Sequence, residues 1–152
     1  MEATQRAGVS TVTKFMSGRS FFDTNVLLYV DDDADPIKQR LALDLFAEHR
    51  RKRTGVVSLQ VLQEYFVVAT RKLGIDPQRA RRKVELIAEF DVATMDVPDI
   101  LAAIDLHRVH GFSLWDALIL RSATVAGCSV LFSEDFQKER RIEGLRIVNP
   151  FL

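Results

Sequence analysis

The stretch Ser20-Phe-Phe-Asp-Thr-Asn-Val-Leu-Leu28 places an acidic residue, Asp23, between a short β-like run and the apolar start of a helix-like run. In an open parallel sheet, ligand sites gather at the carboxyl ends of strands, which is where Asp23 stands. Thr24 and Asn25 follow with short polar side chains that can orient the carboxylate or cap the helix. The alternative is that Asp23 is only an N-cap or turn residue.

The same alternation of short β-like runs and longer helical runs continues along the chain. The β-like runs are 20–23, 55–58, 91–95, 129–133 and 146–148, and the helical runs are 35–53, 59–73, 77–90, 98–110 and 113–126. This pattern predicts an α/β fold in which crossover helices connect the strands of a parallel sheet. Residues 1–18 show no sustained periodicity, so we predict a flexible leader over 1–18 and a single domain over 19–152.

Composition excludes several classes of protein. The chain has 152 residues, of which 47% are hydrophobic and 28% charged, as in a globular domain. It has one cysteine, so it forms no internal disulfide. No apolar run is as long as a membrane span or has the form of a signal peptide, which predicts a cytoplasmic protein without a membrane partner. The formal net charge of zero gives no global reason for a nucleic-acid partner.

Three further acidic residues interrupt apolar surroundings: Glu64, Asp116 and Asp135. A carboxylate drawn toward a core loses several kcal/mol of solvation unless it is paired, hydrogen-bonded or bound to a cation. Each has its own simpler explanation. Glu64 can be the boundary residue of an amphipathic helix, and Asp116 can belong to a capping box that starts at Ser113. Asp135 can be an exposed turn residue equivalent to Glu134.

Taken together, the four acids suggest a shared divalent metal. An all-oxygen set suits Mg²⁺ or Mn²⁺ better than zinc. The helix around Asp116 is apolar on all sides, Trp115 included, so we expect it to be buried. We expect the run 31–33 to be solvated, and His107 and His110 to be surface or packing residues. The sequence contains no phosphate-binding glycine loop and no nucleophile elbow.

Local basic clusters are the remaining charge feature. They are 50–53, 71–72 with 79 and 81–83, and 138, 140, 141 and 146. Any one of them alone is explained as a solvated helix face or loop.

The motifs Phe22-Asp-Thr-Asn-Val-Leu-Leu-Tyr29, Gln63-Glu-Tyr-Phe66, Ser113-Leu-Trp-Asp-Ala-Leu-Ile119 and Leu131-Phe-Ser-Glu-Asp135 resemble the successive acidic motifs of PIN-domain ribonucleases. They occur in the family's order and span most of the chain. The length is similar to that of the VapC-like toxins of bacterial type II toxin–antitoxin pairs. Ser133 stands where the family often has threonine, which preserves the hydroxyl.

The resemblance implies a three-layer α/β/α sandwich with a short parallel sheet and an endonuclease that cleaves RNA with metal-activated water. Mg²⁺, or alternatively Mn²⁺, would be held by the carboxylates of Asp23, Glu64, Asp116 and Asp135. Thr24, Asn25 and Ser133 would position these ligands. Candidate RNA-binding residues, needed to attract phosphate to an acidic site, are Arg71, Lys72, Arg82 and Arg121. The resemblance also implies a homodimer and a cognate antitoxin that blocks the site.

Two other functions fit the sequence. A PIN-like module could bind RNA or protein without cutting, although a pure binder gains nothing from concentrating negative charge beside phosphate. A receiver-like module could be phosphorylated on Asp23, but no lysine follows a late strand in the expected setting.

Overall fold

A computed structural model describes residues 18–136 and 140–152. The predicted leader, except for Gly18, and the basic residue Lys138 lie outside this part of the chain. The strands are β1 (Ser20–Phe22), β2 (Gly55–Ser58), β3 (Asp91–Ala93), β4 (Val130–Phe132), β5 (Arg140–Ile142) and β6 (Leu145–Val148). The helices are α1 (Thr24–Val30), α2 (Pro36–Lys52), α3 (Leu59–Arg71), α4 (Pro77–Ile87), α5 (Val97–His110) and α6 (Leu114–Val125).

The strands form one sheet in the order β3-β2-β1-β4-β6-β5. All neighbouring pairs are parallel except β5 and β6. With six described helices against it, this mixed sheet makes the α/β/α sandwich that the sequence predicted. Because β1 is central, both of its faces are covered, and Phe21 and Phe22 are fully buried.

Strand β5 was missed by the sequence prediction, which expected only parallel strands. It pairs antiparallel with β6 through a turn at Glu143 and Gly144, whose φ angles are 50° and 81°. Two consecutive residues with positive φ are typical of a tight hairpin turn that matches strand twist. The strand itself is Arg-Arg-Ile and mostly exposed, so it lacks the apolar signal used to recognise the others.

A serine caps the start of one helix and a glycine ends another. The Ser58 hydroxyl accepts a hydrogen bond from the backbone N–H of Val61, and α5 ends at Gly111 in a left-handed conformation. The described helices include none with both the length and the apolarity needed to cross a membrane.

Candidate active site

The four predicted carboxylates approach one another at the carboxyl edge of the sheet. Asp23 directly follows β1, and Asp135 follows the neighbouring strand β4. Glu64 lies in the second turn of α3, and Asp116 lies in the first turn of α6. Two strands and two helices, distant in sequence, therefore supply the site.

Asp23 is the most buried of the four, with 4% of its surface exposed. It caps α1, and its Oδ1 accepts a 2.7 Å hydrogen bond from the backbone N–H of Thr24. Its Oδ2 accepts a 2.7 Å bond from the hydroxyl of Ser133. Burial, with smaller contributions from the charges of Asp135 and Glu64, raises the pKa of Asp23 to about 7 against the lowering effect of these bonds. The N-cap explanation is thus correct but incomplete, because the carboxylate also shares a site with other acids.

Glu64 is held by two side chains. The Thr24 hydroxyl donates to its Oε2 at 2.8 Å, and the Gln60 amide donates to its Oε1 at 2.9 Å. Thr24 therefore contacts Asp23 through its backbone and Glu64 through its side chain. This connection orients two of the four carboxylates with one residue.

Asp116 and Asp135 line the same cleft, which has a volume of about 420 Å³. The Ser113 hydroxyl accepts a hydrogen bond from the Asp116 backbone N–H at 3.1 Å, so the predicted cap at Ser113 is present. Burial raises the pKa of the Asp116 carboxyl, as do the charges of Asp135 and Glu64, while a side-chain hydrogen bond with Ser113 lowers it. These effects and those on Asp23 show that the four carboxylates are electrostatically coupled.

Ser133 and Asn25 join the strand ends around this cluster. Besides donating to Asp23, the Ser133 hydroxyl accepts from the backbone N–H of Asp135 at 3.2 Å and from the Asn25 amide at 3.5 Å. The Asn25 side-chain oxygen accepts from the backbone N–H of Glu134 at 3.2 Å. Of the predicted positioning residues, Thr24 and Ser133 therefore bond directly to the acids, and Asn25 bonds to Ser133.

Glu134 and Asp135 are not equivalent, although the sequence left that alternative open. The carboxylate of Glu134 accepts hydrogen bonds from Tyr29 and Lys38, each at 2.9 Å. Lys38 therefore neutralises Glu134 outside the cluster. Asp135 alone is directed to the cleft shared with Asp116.

The carboxylates match a divalent metal in their chemistry. Mg²⁺ and Mn²⁺ prefer oxygen ligands, and a cation would relieve the repulsion that raises the pKa of Asp23 and Asp116. Within residues 18–136 and 140–152, however, no three acidic, histidine or cysteine side chains are already arranged to hold an ion. The acidic side chains must move closer together before three can share one metal.

None of the four predicted RNA-binding residues lines the cleft of Asp116 and Asp135. Arg71 and Lys72 are exposed at the far end of α3 from Ser58, about 10 Å along the helix from Glu64. Arg82 lines a separate cavity near the end of α1. Arg121 donates two hydrogen bonds to Asp99, at 2.9 and 3.1 Å.

Two residues near the acids were not among the sequence candidates. Gln60 binds Glu64, and its spacing of four residues on a helix was an available signal. Arg140 lines the cleft with Asp116 and Asp135, and its guanidinium lies 5.4 Å from the ring centre of Phe112. Arg140 belongs to a basic cluster that the sequence showed, but its place beside the acids had no local signal because its neighbours in the cleft come from distant parts of the chain.

Two expectations about burial were wrong. Asp31, expected to be solvated, accepts a 2.7 Å hydrogen bond from Tyr65 and forms an ion pair with Lys83 at 3.2 Å. Trp115, expected to be buried with the rest of its helix, is 64% exposed. Helix α6 buries Ala117 to Leu120 but exposes Trp115 in its first turn.

Comparison with known families gives one match by sequence. The sequence model of the PIN domain matches residues 20–142, which include all four carboxylates. A search of curated proteins gives no match.

Two of the similar solved structures illustrate the shared fold. One is VapC20 of Mycobacterium tuberculosis, described as a sarcin-ricin loop cleaving toxin. Its sequence is 18% identical, the match covers 76% of this chain and 89% of that chain, and the TM-score is 0.63. The other is a chain of a toxin–antitoxin complex from Klebsiella pneumoniae, with 22% identity, 86% and 97% coverage, and a TM-score of 0.55. At these identities the likeness shows a common fold.

Proposed function

The chain belongs to the PIN domain family, and from this premise we propose that it is a divalent-metal-dependent endoribonuclease that acts as the toxin of a toxin–antitoxin pair. The observation that carries the proposal is the convergence of four carboxylates from four separate elements. Thr24 bonds to both Asp23 and Glu64, and Ser133 bonds to both Asp23 and Asp135. Asp116 shares a cleft with Asp135. Structural neighbours include a protein described as a sarcin-ricin loop cleaving toxin and a chain of a toxin–antitoxin complex.

In this proposal the four carboxylates hold Mg²⁺ or Mn²⁺. When bound, the metal would activate water and stabilise the charge that develops on the phosphodiester. The protein's own residues prepare the site. Ser133 and the Thr24 backbone fix Asp23, while the Thr24 hydroxyl and Gln60 fix Glu64. Such hydrogen bonds hold ligands in place for a metal and favour their ionised forms.

RNA must reach an acidic site, so cations have to offset the repulsion of its phosphates. Arg140 is the described cation that lines the cleft of Asp116 and Asp135. Arg71, Lys72, Arg82 and Arg121 are proposed to contact RNA farther from the cut. A protein antitoxin and a second copy of the chain complete the proposed partners, and the proposed location is the cytoplasm.

The test is cleavage of RNA by the purified full-length protein with Mg²⁺ or Mn²⁺. We expect cleavage that EDTA abolishes and added metal restores. Asp23→Asn and Asp116→Asn should each lower the rate about 100-fold or more, because each removes a charged ligand. Asp33→Asn is the control, because Asp33 is exposed and outside the cluster.

Full activity in both site variants would overturn the assigned site. RNA binding that resists EDTA, without cleavage of any RNA offered, would favour the non-cutting module instead. The toxin role has its own readout: expression of the wild type should arrest bacterial growth, and Asp116→Asn should relieve the arrest.

A further inference from the structure

Trp115 is an exposed aromatic residue next to an acidic site residue. It is the only tryptophan of the chain and precedes Asp116 directly. Its helix buries Ala117 and the three residues that follow, yet 64% of the Trp115 surface faces solvent. A large aromatic surface left in water carries a solvation cost that a bound partner would remove.

Trp115 borders a cavity of about 310 Å³ with a mainly apolar lining. This volume lies at the lower end of the range for small-ligand sites, roughly 300 to 1,000 Å³. Leu59, Met95 and Ile100 provide apolar walls, and Gln60 and Gln63 provide amide groups. Among the described residues that line the cavity, none is charged, so it suits a flat uncharged group with polar edges better than a phosphate.

The cavity lies beside the acidic cluster on the same edge of the sheet. Its lining includes the residues that follow β2 and β3, whereas Asp23 and Asp135 follow β1 and β4. The sheet order places β2 next to β1. Gln60 joins the two places, because its amide nitrogen donates to Glu64 at 2.9 Å and to the backbone oxygen of Trp115 at 3.4 Å.

We propose that this Trp115 pocket binds a nucleobase of single-stranded RNA, from a nucleotide next to the phosphodiester held at the carboxylates. The inference rests on the proposed function and adds a base-binding subsite to it. Stacking on an aromatic ring is the usual way proteins bind unpaired bases, and amide groups can hydrogen-bond base edges. An RNA strand that runs along the carboxyl edge of the sheet places its phosphate backbone at the acids and a neighbouring base at Trp115.

The single tryptophan makes the test direct, since intrinsic tryptophan fluorescence comes from Trp115 alone. The full-length protein is titrated with a short single-stranded oligoribonucleotide in Ca²⁺, a hard cation bound by oxygen ligands. The control probe is an abasic oligonucleotide with the same number of phosphates. We expect saturable quenching by the RNA and little or none by the abasic strand.

Variants test the same contact by an independent measurement. RNA affinity, measured by anisotropy of a labelled strand, should fall about tenfold in Trp115→Ala and much less in Trp115→Phe, which retains a stacking surface. Val109→Ala is the matched control, because Val109 is an exposed apolar residue of α5 outside the pocket. Circular dichroism confirms that each variant is folded.

Three results would overturn the pocket assignment: equal quenching by the abasic strand, unchanged affinity in Trp115→Ala, or a fluorescence change that follows protein concentration without RNA. The last would identify a contact between copies of the chain. If any of these results occurs together with metal-dependent cleavage, the proposed function is supported and the base-binding subsite is contradicted. Base-dependent quenching without RNA cleavage contradicts the nuclease proposal and supports the base-binding pocket.

Discussion

The buried position of Asp23 costs its carboxylate much of its solvation. Its carboxylate is buried and hydrogen-bonded, yet its pKa is raised to about 7 from an ordinary value of 3.8. The upward shift of this pKa shows that the hydrogen bonds from Ser133 and Thr24 only partly offset burial and the neighbouring negative charges. A residue that destabilises the metal-free fold in its charged form is more readily explained by function than by stability.

Replacing Asp23 by asparagine should therefore stabilise the metal-free protein while abolishing cleavage. The folded state binds a proton at Asp23 more tightly than the unfolded chain does. The cost of the charge is therefore absent below pH 3.8, grows as the pH rises and is complete above pH 7. Above pH 7 in EDTA we expect a gain of about 1 to 3 kcal/mol, measured by chemical denaturation.

Asp33→Asn serves as the control for this measurement, because an exposed carboxylate should change the stability by less than about 0.5 kcal/mol. A less stable Asp23→Asn protein would show that the hydrogen bonds to the carboxylate outweigh its burial.

At the scale of elements, α5 and α6 are joined by a pair of half-buried side chains. Arg121 of α6 donates two hydrogen bonds to one oxygen of Asp99, and Asp99 also accepts from the backbone N–H of Asp96 at the start of α5. The ion pair thus links the first turn of α5 to the helix that carries Asp116. Arg121 consequently has a structural role as well as the proposed contact with RNA.

A double-mutant cycle separates these two roles. Arg121→Gln and Asp99→Asn should each lower the free energy of unfolding by about 1 kcal/mol, and the double variant should lose less than the sum. If Arg121 also contacts RNA, Arg121→Gln lowers RNA affinity and Asp99→Asn does not. Equal RNA affinity in all three variants would limit Arg121 to the structural role.

At the scale of the whole molecule, the basic residues lie at different distances from the acidic site: Arg140 lines the cleft, whereas Arg71 and Lys72 lie about two helical turns from Glu64. The net charge is zero, so attraction of RNA depends on local patches of cations. Arg82 borders the cavity that also contains Arg79 and Lys83, and Arg71 and Lys72 lie at the end of α3. These positions suit contacts to phosphates distant from the cut.

Removing three of these charges should weaken the salt dependence of RNA binding. In Arg71→Gln/Lys72→Gln/Arg82→Gln, the slope of log affinity against log salt should fall in magnitude by about 2, since each phosphate contact on a single strand contributes about 0.7. Arg81→Gln is the matched control, because Arg81 lies next to Arg82 on α4 but forms an ion pair with Glu85. An unchanged slope in the triple variant would exclude these residues from the RNA path.

Much of the architecture was predictable because it follows from local patterns. Apolar runs marked β1, β2, β3, β4 and β6, and the serine cap at Ser113 marked the start of α6. Strand β5 escaped because its signal is a two-residue turn and not an apolar run. The exposure of Trp115 was not predicted, because the sequence of a helix that is apolar on every side does not indicate which side faces solvent.

The sequence by itself determined the α/β class, the approximate element boundaries and the four candidate carboxylates, because helix and strand formation depend on periodicity and caps within short windows. Only the tertiary structure decided which polar groups meet. It brought Thr24 to Glu64 across 40 residues, brought Ser133 to Asp23 across 110, and separated Glu134 from the acidic cluster through Lys38. It also placed the exposed ring of Trp115 beside that cluster. Such pairings depend on strand order and helix packing, which bring together residues that carry no local signal of each other.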